Sequence, residues 1–473
     1  MKLKQRIHKI YNNLGPTGQS IVAHSYALFP IRWRKKSGFW SFLRFLRNSQ
    51  WESCEWHREY QCQQLQSLVK YAVATTPYYR QIFKENQIYP AELLSSEDLS
   101  NVPILQKEIL VNRIGEFFPE GFPNKRLITN STSGSTGEPF KFYQDYSAVM
   151  REEAFAVRHW ENAGMKLGEP SVFLRSYIPQ NENETYYFDP VNNRHYFSAY
   201  HLDGKNLKYY CKKIAGSQAR YIFGYPSSLE ILSDFLLSAG QALHFQAAIT
   251  GSEMLSENAR KKIEKAMNTK VSDWYGLAEP AVTMGQCEQG SYHLFTEYGI
   301  MELLDTNNNA VTTEGATGRI VATNFTNRAL PLIRYDTGDM GTYTSQQCSC
   351  GRGLPVIVSS ILGRKDDLLV GANGQYLPSV NFYSLFAKLG GEVARFQLIQ
   401  KDTNKFKLKL VRGPEFGEQS VNRIIEGLNQ RIGGRPQITI ETVEKITPSN
   451  AGKIRAVIRN YDSEGAERVN NEN

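Results

Sequence analysis

A run of hydroxyl and glycine residues, Asn130-Ser131-Thr132-Ser133-Gly134-Ser135-Thr136-Gly137-Glu138-Pro139, is the most chemically pointed stretch of this 473-residue chain. Side-chain hydroxyls and backbone N–H groups can converge there on phosphate oxygens, because Gly134 and Gly137 reach conformations that other residues resist. The G-x-x-x-x-G-K-[ST] spacing is absent, which excludes a P-loop kinase or ATPase on that motif. A polar surface turn is the plain alternative for such a run taken alone. A second group is built on sulfur. Cys287, His293, Cys348 and Cys350 offer three thiols and an imidazole, the ligand set of a closed structural zinc site. Two cysteines two apart share a face of a flat strand, but Gly351 and Gly353 predict a turn that aims both sulfurs at one ion. Buried thiols beside an unrelated exposed histidine are the alternative. No general base stands out among the four, so a metal held there is expected to be a staple, not a catalyst.

The elements that must position these groups read as alternating strands and helices. Residues 221–223 form a β-type run, 224–227 a turn, and Leu229, Ile231, Leu232, Phe235 and Leu236 a helical stripe ending at Gly240. Residues 245–250 predict a strand, 256–267 a helix and 270–274 a further strand, a βαβ rhythm that argues for a largely parallel sheet. Strands over 300–304 and 319–323 follow with no long helix between them. Beyond Gly363 the texture changes. A Gly/Asn-rich stretch (371–374), a strand alternating at Phe406, Leu408 and Leu410, a helix over 421–432 and a strand over 437–443 predict a compact α+β unit.

With those elements drawn, the chain resembles the adenylate-forming superfamily of acyl-CoA synthetases, peptide-synthetase adenylation domains and luciferases. The loop 130–139 is similar to its phosphate-binding signature. Tyr275-Gly276-Leu277-Ala278-Glu279, Arg334-Tyr335-Asp336-Thr337-Gly338-Asp339, Gly363-Arg364-Lys365-Asp366-Asp367 and Ala451-Gly452-Lys453-Ile454-Arg455 follow in the family's order. Thr76-Pro77-Tyr78-Tyr79-Arg80, Val102-Pro103-Ile104-Leu105-Gln106-Lys107 and Cys348-Ser349-Cys350-Gly351-Arg352 are similar to the phenylacetate-CoA ligases and the CapK-like proteins of capsule biosynthesis. The resemblance implies a large α/β N-terminal domain with βαβ units and a small mobile α+β C-terminal domain. The boundaries expected are a basic helical lead-in at 1–64, a nucleotide- and acid-binding domain at 65–362, a lid at 363–462 and a frayed tail at 463–473.

The chemistry so implied begins with a carboxylate attacking the α-phosphate of ATP. Pyrophosphate leaves and an acyl-AMP remains. The first obstacle to that attack is anion meeting anion, so positioned cations and N–H donors must offset the repulsion, which gives Lys453 and a Mg²⁺ their roles. By resemblance Ser133, Gly134, Ser135, Thr136 and Gly137 hold phosphate, Glu279 binds Mg²⁺, and Asp339 and Arg364 hold the ribose. Gly251, Ser252, Glu253, Tyr275 and Gly276 would frame the adenine. Asp366 matches the hinge about which the lid turns to remove Lys453, so that one site serves two half-reactions. Tyr200, His201, Tyr225, Pro226 and Ser227 are candidates to line the acid pocket, though core packing explains such aromatics equally well. The acceptor is the CoA thiol in the phenylacetate-type reading. It is an amine or hydroxyl, on a sugar precursor of a surface polysaccharide, in the CapK-like reading. A non-catalytic nucleotide-binding scaffold is the alternative of another class.

The chain departs from the pattern at three places. Phe140 stands where many members carry a lysine, Asp336 where an arginine is common, and the stretch 448–453 is longer than usual between proline and lysine. Arg334 reads as a structural partner of Asp336, and Asp339, next to Gly338, reads by itself as an Asx turn.

Composition bounds the remaining choices. Charged residues make up 22% and hydrophobic residues 41%, which excludes pervasive disorder. The net charge of +8 lies entirely in residues 1–50, which hold ten Lys/Arg and no acid. The rest is nearly neutral, so no nucleic-acid partner is expected. The basic stretch also carries Trp33, Phe39, Trp40, Phe42, Leu43, Phe45 and Leu46. Such a mixture fits either a helical lead-in packed on the main domain or a helix lying on an anionic membrane. No run of eighteen apolar residues predicts a transmembrane helix, and Ser20–Ile31 is too polar and short for a secretory signal. Six cysteines in so long a chain favour a reducing compartment. The expected location is cytoplasmic, with peripheral contact at the inner face of the membrane open.

Overall fold

The computed structural model describes residues 15–460, apart from 94, 124–126, 132–140, 176, 178–183, 200, 203, 365–368, 371–375, 378–381, 383–384, 387–388, 433–434 and 448–454. Three helices open it: α1 (Pro16–Ala27), α2 (Ile31–Arg34) and α3 (Ser37–Ser49). In α3, Phe39, Leu43 and Leu46 are buried because the spacing i, i+4, i+7 places them on one helical face. They pack on Ala154, Phe155 and Val157. The basic segment is thus divided, since none of the described side chains of α1 and α2 is buried. Helix α4 (Cys54–Thr75) starts at Ser53, whose Oγ accepts the Trp56 N–H at 3.1 Å and caps the first turn. Helix α5 (Pro77–Glu85) starts on a proline, which suits a first turn because its missing N–H would be unpaired there.

After α6 (Lys107–Asn112) comes an antiparallel hairpin of β1 (Leu127–Ser131) and β2 (Lys141–Asp145). Its last pair is Ser131 with Lys141. Helix α7 (Tyr146–Asn162) is capped by Asp145, which accepts the Ala148 N–H at 2.9 Å. Its Arg158 forms a fully buried ion pair with Glu297 at 2.7 Å, and the Ser49 hydroxyl donates to the same carboxylate. Helices α3 and α7 therefore meet at a paired charge inside an aromatic core, where an unpaired one would be costly.

The main sheet is built from β3 (Ser171–Arg175), β4 (Tyr186–Asp189), β5 (Arg194–Ser198), α8 (Gly204–Ala215), β6 (Tyr221–Gly224), α9 (Pro226–Ser238), β7 (Ala247–Gly251), α10 (Glu257–Met267), β8 (Lys270–Gly276), β9 (Thr283–Gln286) and β10 (Tyr292–Leu294). Strand order is β10-β9-β8-β7-β6-β3-β5-β4. The run from β5 to β8 is parallel, and β4, β9 and β10 are antiparallel additions at the edges. The βαβ expectation is met, with boundaries shifted by one or two residues, as where the strand expected at 245–250 is Ala247–Gly251. Helix α9 begins at Pro226, inside the expected turn, because proline fits a first helical position. Strand β8 runs two residues past Trp274, held by Tyr275 opposite Met284 and Gly276 opposite Thr283. The order reverses at β3, with β5 on one side and β6 to β8 on the other. At such a switch the connections diverge and leave a crevice at the carboxyl ends of the strands.

A second, antiparallel sheet follows: β11 (Gly299–Leu304), β12 (Thr317–Asn324), β13 (Tyr335–Tyr343) and β14 (Val358–Arg364). It shares one apolar core with α4, α5 and β9, through Leu68, Tyr79, Met284, Ile320 and Tyr335. The last part holds β15 (Leu369–Val370), β16 (Tyr376–Leu377), β17 (Val393–Asp402), β18 (Lys405–Arg412), α11 (Ser420–Ile432), β19 (Gln437–Thr442) and β20 (Val457–Arg459). Its sheet runs β19-β18-β17-β20. Phe406, Leu408 and Leu410 face its own core with Leu398, Ile424, Leu428 and Val457, as the pleat of an alternating strand requires. Arg395 of β17 donates to Asp234 at 3.1 Å and lies 3.8 Å from Glu230, the two acids that also hold Lys262. A four-charge cluster thus joins β17 to α9 and α10. Among the described residues no helix is long and apolar enough to cross a membrane.

Candidate functional site

The carboxyl ends of β3, β6, β7 and β8 bring Arg175, Tyr225, Gly251-Ser252-Glu253 and Tyr275-Gly276 to one edge of the sheet. Gly251 has a steric reason. It pairs with Trp274, and a Cβ there would lie 2.8 Å from the Trp274 carbonyl oxygen. Ser252 turns the chain at a φ of 70°. Glu253 then accepts the Ser227 N–H at 3.1 Å, satisfying one of the orphan donors in the first turn of α9. The adenine-framing and acid-pocket candidates are therefore tied to each other, with Tyr225 buried and Pro226 opening the helix. His201 Nδ1 lies 2.9 Å from the Ser198 hydroxyl, and Ser198 pairs with Arg175 across β3 and β5. Tyr200 lies outside the described residues.

Arg175 escaped the motif reading. Its guanidinium sits 5.7 Å from the Tyr225 ring centroid, and its Nε has no hydrogen-bond partner among the described residues. Burial holds it below the ordinary arginine value, while Tyr225 and Glu253 pull the other way. The sole sequence signal is a charge closing the apolar run Val172-Phe173-Leu174. Asp273 was also missed. It is buried on β8 and takes hydroxyl hydrogen bonds from Thr250 and from Tyr292 at 2.6 Å. Burial raises its carboxyl, and these two donors act against that rise.

The second sheet supplies the other wall. Tyr275 donates to Asp339 Oδ2 at 2.8 Å, and Thr283 donates to the Tyr275 carbonyl at 2.9 Å. Glu279, 2% exposed, accepts from the Tyr335 hydroxyl at 2.9 Å and pairs with Lys107 at 3.3 Å. Both contacts fall on Oε1. Asp339 stands in register opposite Arg364 across β13 and β14. Three of the motifs thus meet through side-chain bonds or strand register. Lys107 and Tyr335 lay within quoted motifs, but their contact with Glu279 could not be read from spacing.

Two structural assignments change. Arg334 pairs with Glu302 at 2.9 Å and donates to the Ser100 and Val102 carbonyls; Asp336 is held by Arg319 at 2.6 Å. Arg334 lies just before β13 at a φ of 54°, outside the strand alternation that would have set it beside Asp336, so the pair that was expected does not form. The turn carboxylate is Asp336, whose Oδ1 accepts the N–H of Gly338 at a φ of 73°. That leaves the Asp339 side chain for Tyr275. Ser133, Gly134, Ser135, Thr136, Gly137, Asp366 and Lys453 lie outside the described residues, as does the side chain of Arg364.

Beyond β9 the four predicted sulfur and imidazole ligands converge, with their ligand atoms all within 4.8 Å of one another. Cys287 and Cys348 sulfurs are 3.5 Å apart, and Cys350 Sγ is 3.3 Å from His293 Nε2. His293 Nδ1 lies 2.7 Å from the Leu354 carbonyl, which fixes the proton on Nδ1 and presents Nε2 as a ligand. The turn at Gly351, φ 82°, does what was expected of it. Three thiols and a neutral imidazole in this arrangement fit a tetrahedral soft-metal site. The loop also abuts the start of α4, where a Cβ on Gly353 would lie 1.6 Å from the Glu52 carbonyl oxygen.

A doubly wound sheet with an antiparallel second sheet and a small α+β terminal part, its crevice lined as above, is the architecture of adenylate-forming ligases. The solved structure of 2-hydroxyisobutyryl-CoA ligase in the postadenylation state, in complex with R3-HIB-AMP, shares it with a TM-score of 0.67 at 17% identity, covering 86% of this chain and 90% of that one. Residues 369–460 match the CapK C-terminal domain family. Protein CapK of Staphylococcus aureus is 24% identical over 463 residues, covering 96% of this chain and 99% of that protein. The phenylacetate-coenzyme A ligase of Thermus thermophilus is 26% identical over 332 residues, covering 66% and 71%. These similarities, together with the shared fold, support the resemblance to the adenylate-forming superfamily and to its CapK and phenylacetate-CoA ligase branch.

Proposed function

We propose that this protein is an adenylate-forming ligase that activates a carboxylic acid with ATP, releases pyrophosphate and passes the acyl group to CoA. The observation that carries this reading is the convergence of Tyr275 on Asp339 and of Tyr335 and Lys107 on Glu279 at the carboxyl edge of the sheet. In this reading Asp339 and Arg364 hold the ribose, Gly251 to Glu253 with Tyr275 and Gly276 frame the adenine, and Ser133 to Gly137 bind phosphate. Glu279 supplies a buried carboxylate for a Mg²⁺, which would neutralise phosphate charge. Tyr335 and Lys107 hold that carboxylate in place. Lys453 is the cation for the first half-reaction, carried on a lid of residues 363–462 that turns at Asp366. Arg175 and Tyr225 line the acid pocket. The four-residue cysteine and histidine cluster binds structural zinc. The relationship to CapK over nearly the full length favours a second reading, in which the acceptor is an amine or hydroxyl.

The test is acid-dependent pyrophosphate release from ATP and Mg²⁺, with no acceptor present, across aryl, fatty, amino and sugar acids. Release with at least one class is expected, and Lys453→Ala should abolish it while ATP binding stays nearly intact. ATP binding with no release from any acid, with or without CoA or amines, would sink the ligase reading and favour a scaffold.

A further inference from the structure

One surface lies outside everything the ligase chemistry uses. Helices α1 and α2 meet at Leu28-Phe29-Pro30, and six of the twelve large exposed apolar side chains among the described residues lie at this corner. They are Ile21, Val22, Tyr26, Leu28, Phe29 and Trp33, with Leu28 86% and Trp33 74% exposed. Such a concentration of exposed apolar side chains within residues 21–33 is a mark of an interaction site. Its orientation is set by what docks. Ile31 packs at Gly168, Arg34 donates to the Val191 carbonyl, and Lys35 pairs with Glu153. Within the single turn of α2, Ile31 and Arg34 share the docked face and Arg32 and Trp33 take the other; Phe29 precedes the turn, and Lys36 follows it with its Nζ 4.3 Å from the Tyr146 ring centroid. The Trp33 ring and the Arg32 cation thus lie side by side on the undocked face of α2, with exposed Phe29 and Lys36 flanking them in the chain.

Charge decides the occupant. Residues 1–50 contain no Asp or Glu, so a second copy seated on the same patch by two-fold symmetry would bring like charges together. Folding residues 1–14 over it would add Lys2, Lys4, Arg6 and Lys9 to the same cations. An anionic bilayer complements both components, because lipid headgroups attract the cations while their boundary with the acyl chains takes up aromatic and aliphatic side chains. We propose that this corner docks the protein on an anionic membrane surface, with Leu28, Phe29 and Trp33 entering the interface and Arg32 and Lys36 at phosphate level. The proposal is independent of the ligase reading.

Cosedimentation of the full chain with vesicles tests it, comparing pure phosphatidylcholine with the same lipid carrying about 30% phosphatidylglycerol at about 0.1 M salt. Binding to the anionic vesicles alone is expected, together with its loss at high salt. Leu28→Ser with Trp33→Ser, and separately Arg32→Glu with Lys36→Glu, should each weaken binding by at least about tenfold, with circular dichroism unchanged. Failure to bind anionic vesicles, equal binding to neutral ones, or unaltered binding by both double variants would overturn the proposal. Light scattering supplies a further arm: a dimer dispersed by the serine variant, with vesicles ignored, would make the patch a self-association surface instead.

Discussion

Glu279 shows how a single carboxylate is prepared for work. At 2% exposure it would be costly as an isolated charge, and Lys107 with the Tyr335 hydroxyl makes it tolerable. Both partners come from distant elements, α6 and β13, so the carboxylate reports whether three segments are correctly assembled. Under the proposed function Glu279→Gln removes the metal-binding charge but keeps the shape. We expect pyrophosphate release to fall roughly 100-fold with thermal stability little changed. Tyr335→Phe should give a smaller loss that excess Mg²⁺ partly restores, because it loosens the carboxylate without removing it. Initial rates against Mg²⁺ concentration check both; a Glu279→Gln enzyme with unaltered rate and metal dependence would remove Glu279 from the site.

At the scale of elements, the cysteine and histidine cluster ties the β9-β10 hairpin to the loop before β14 and, through Gly353, to the start of α4. Strand β9 also carries Thr283, which holds Tyr275 from behind. A metal there would stiffen the strand that positions part of the crevice. We expect protein purified without chelator to carry about one zinc per chain, and Cys350→Ser to lose it and to lower the melting temperature. Elemental analysis showing no metal in such protein would rule this out. The cluster was legible in the sequence because the types of its four ligands match one metal's chemistry. The pairing of Arg334 was not, because Glu302 comes from β11 and no spacing rule links it to Arg334.

The whole molecule carries a pH response in its buried imidazoles. Burial between α7 and the sheet pushes His159 down to about 3, and burial also lowers His57. Unfolded histidines take up protons near pH 6.5, and these native ones do not, so the unfolded state binds more protons below that value. Stability is therefore complete above about pH 6.5 and falls as the pH drops toward the native values, by up to about 1.4 kcal/mol per pH unit for each histidine. Thermal unfolding between about pH 5 and 7.5, above the range where most carboxylates titrate, should show this slope, and His159→Gln should flatten it. An unchanged slope in that variant would mean that His159 is accessible to protons in the native state.

Order along the chain was enough to show the resemblance to the superfamily, the βαβ rhythm of residues 221–276 and the terminal α+β part. Each of these rests on local periodicity or on residue types within a few positions. Composition also located the positive charge in residues 1–50. Only the tertiary structure decided how that segment divides, with Phe39, Leu43 and Leu46 in the core and Leu28, Phe29 and Trp33 outside it, because burial depends on which neighbour a helix face meets. It alone brought Arg175 beside Tyr225 and Lys107 beside Glu279. Contacts between residues far apart in the chain are set by strand order and packing, and no local spacing encodes them.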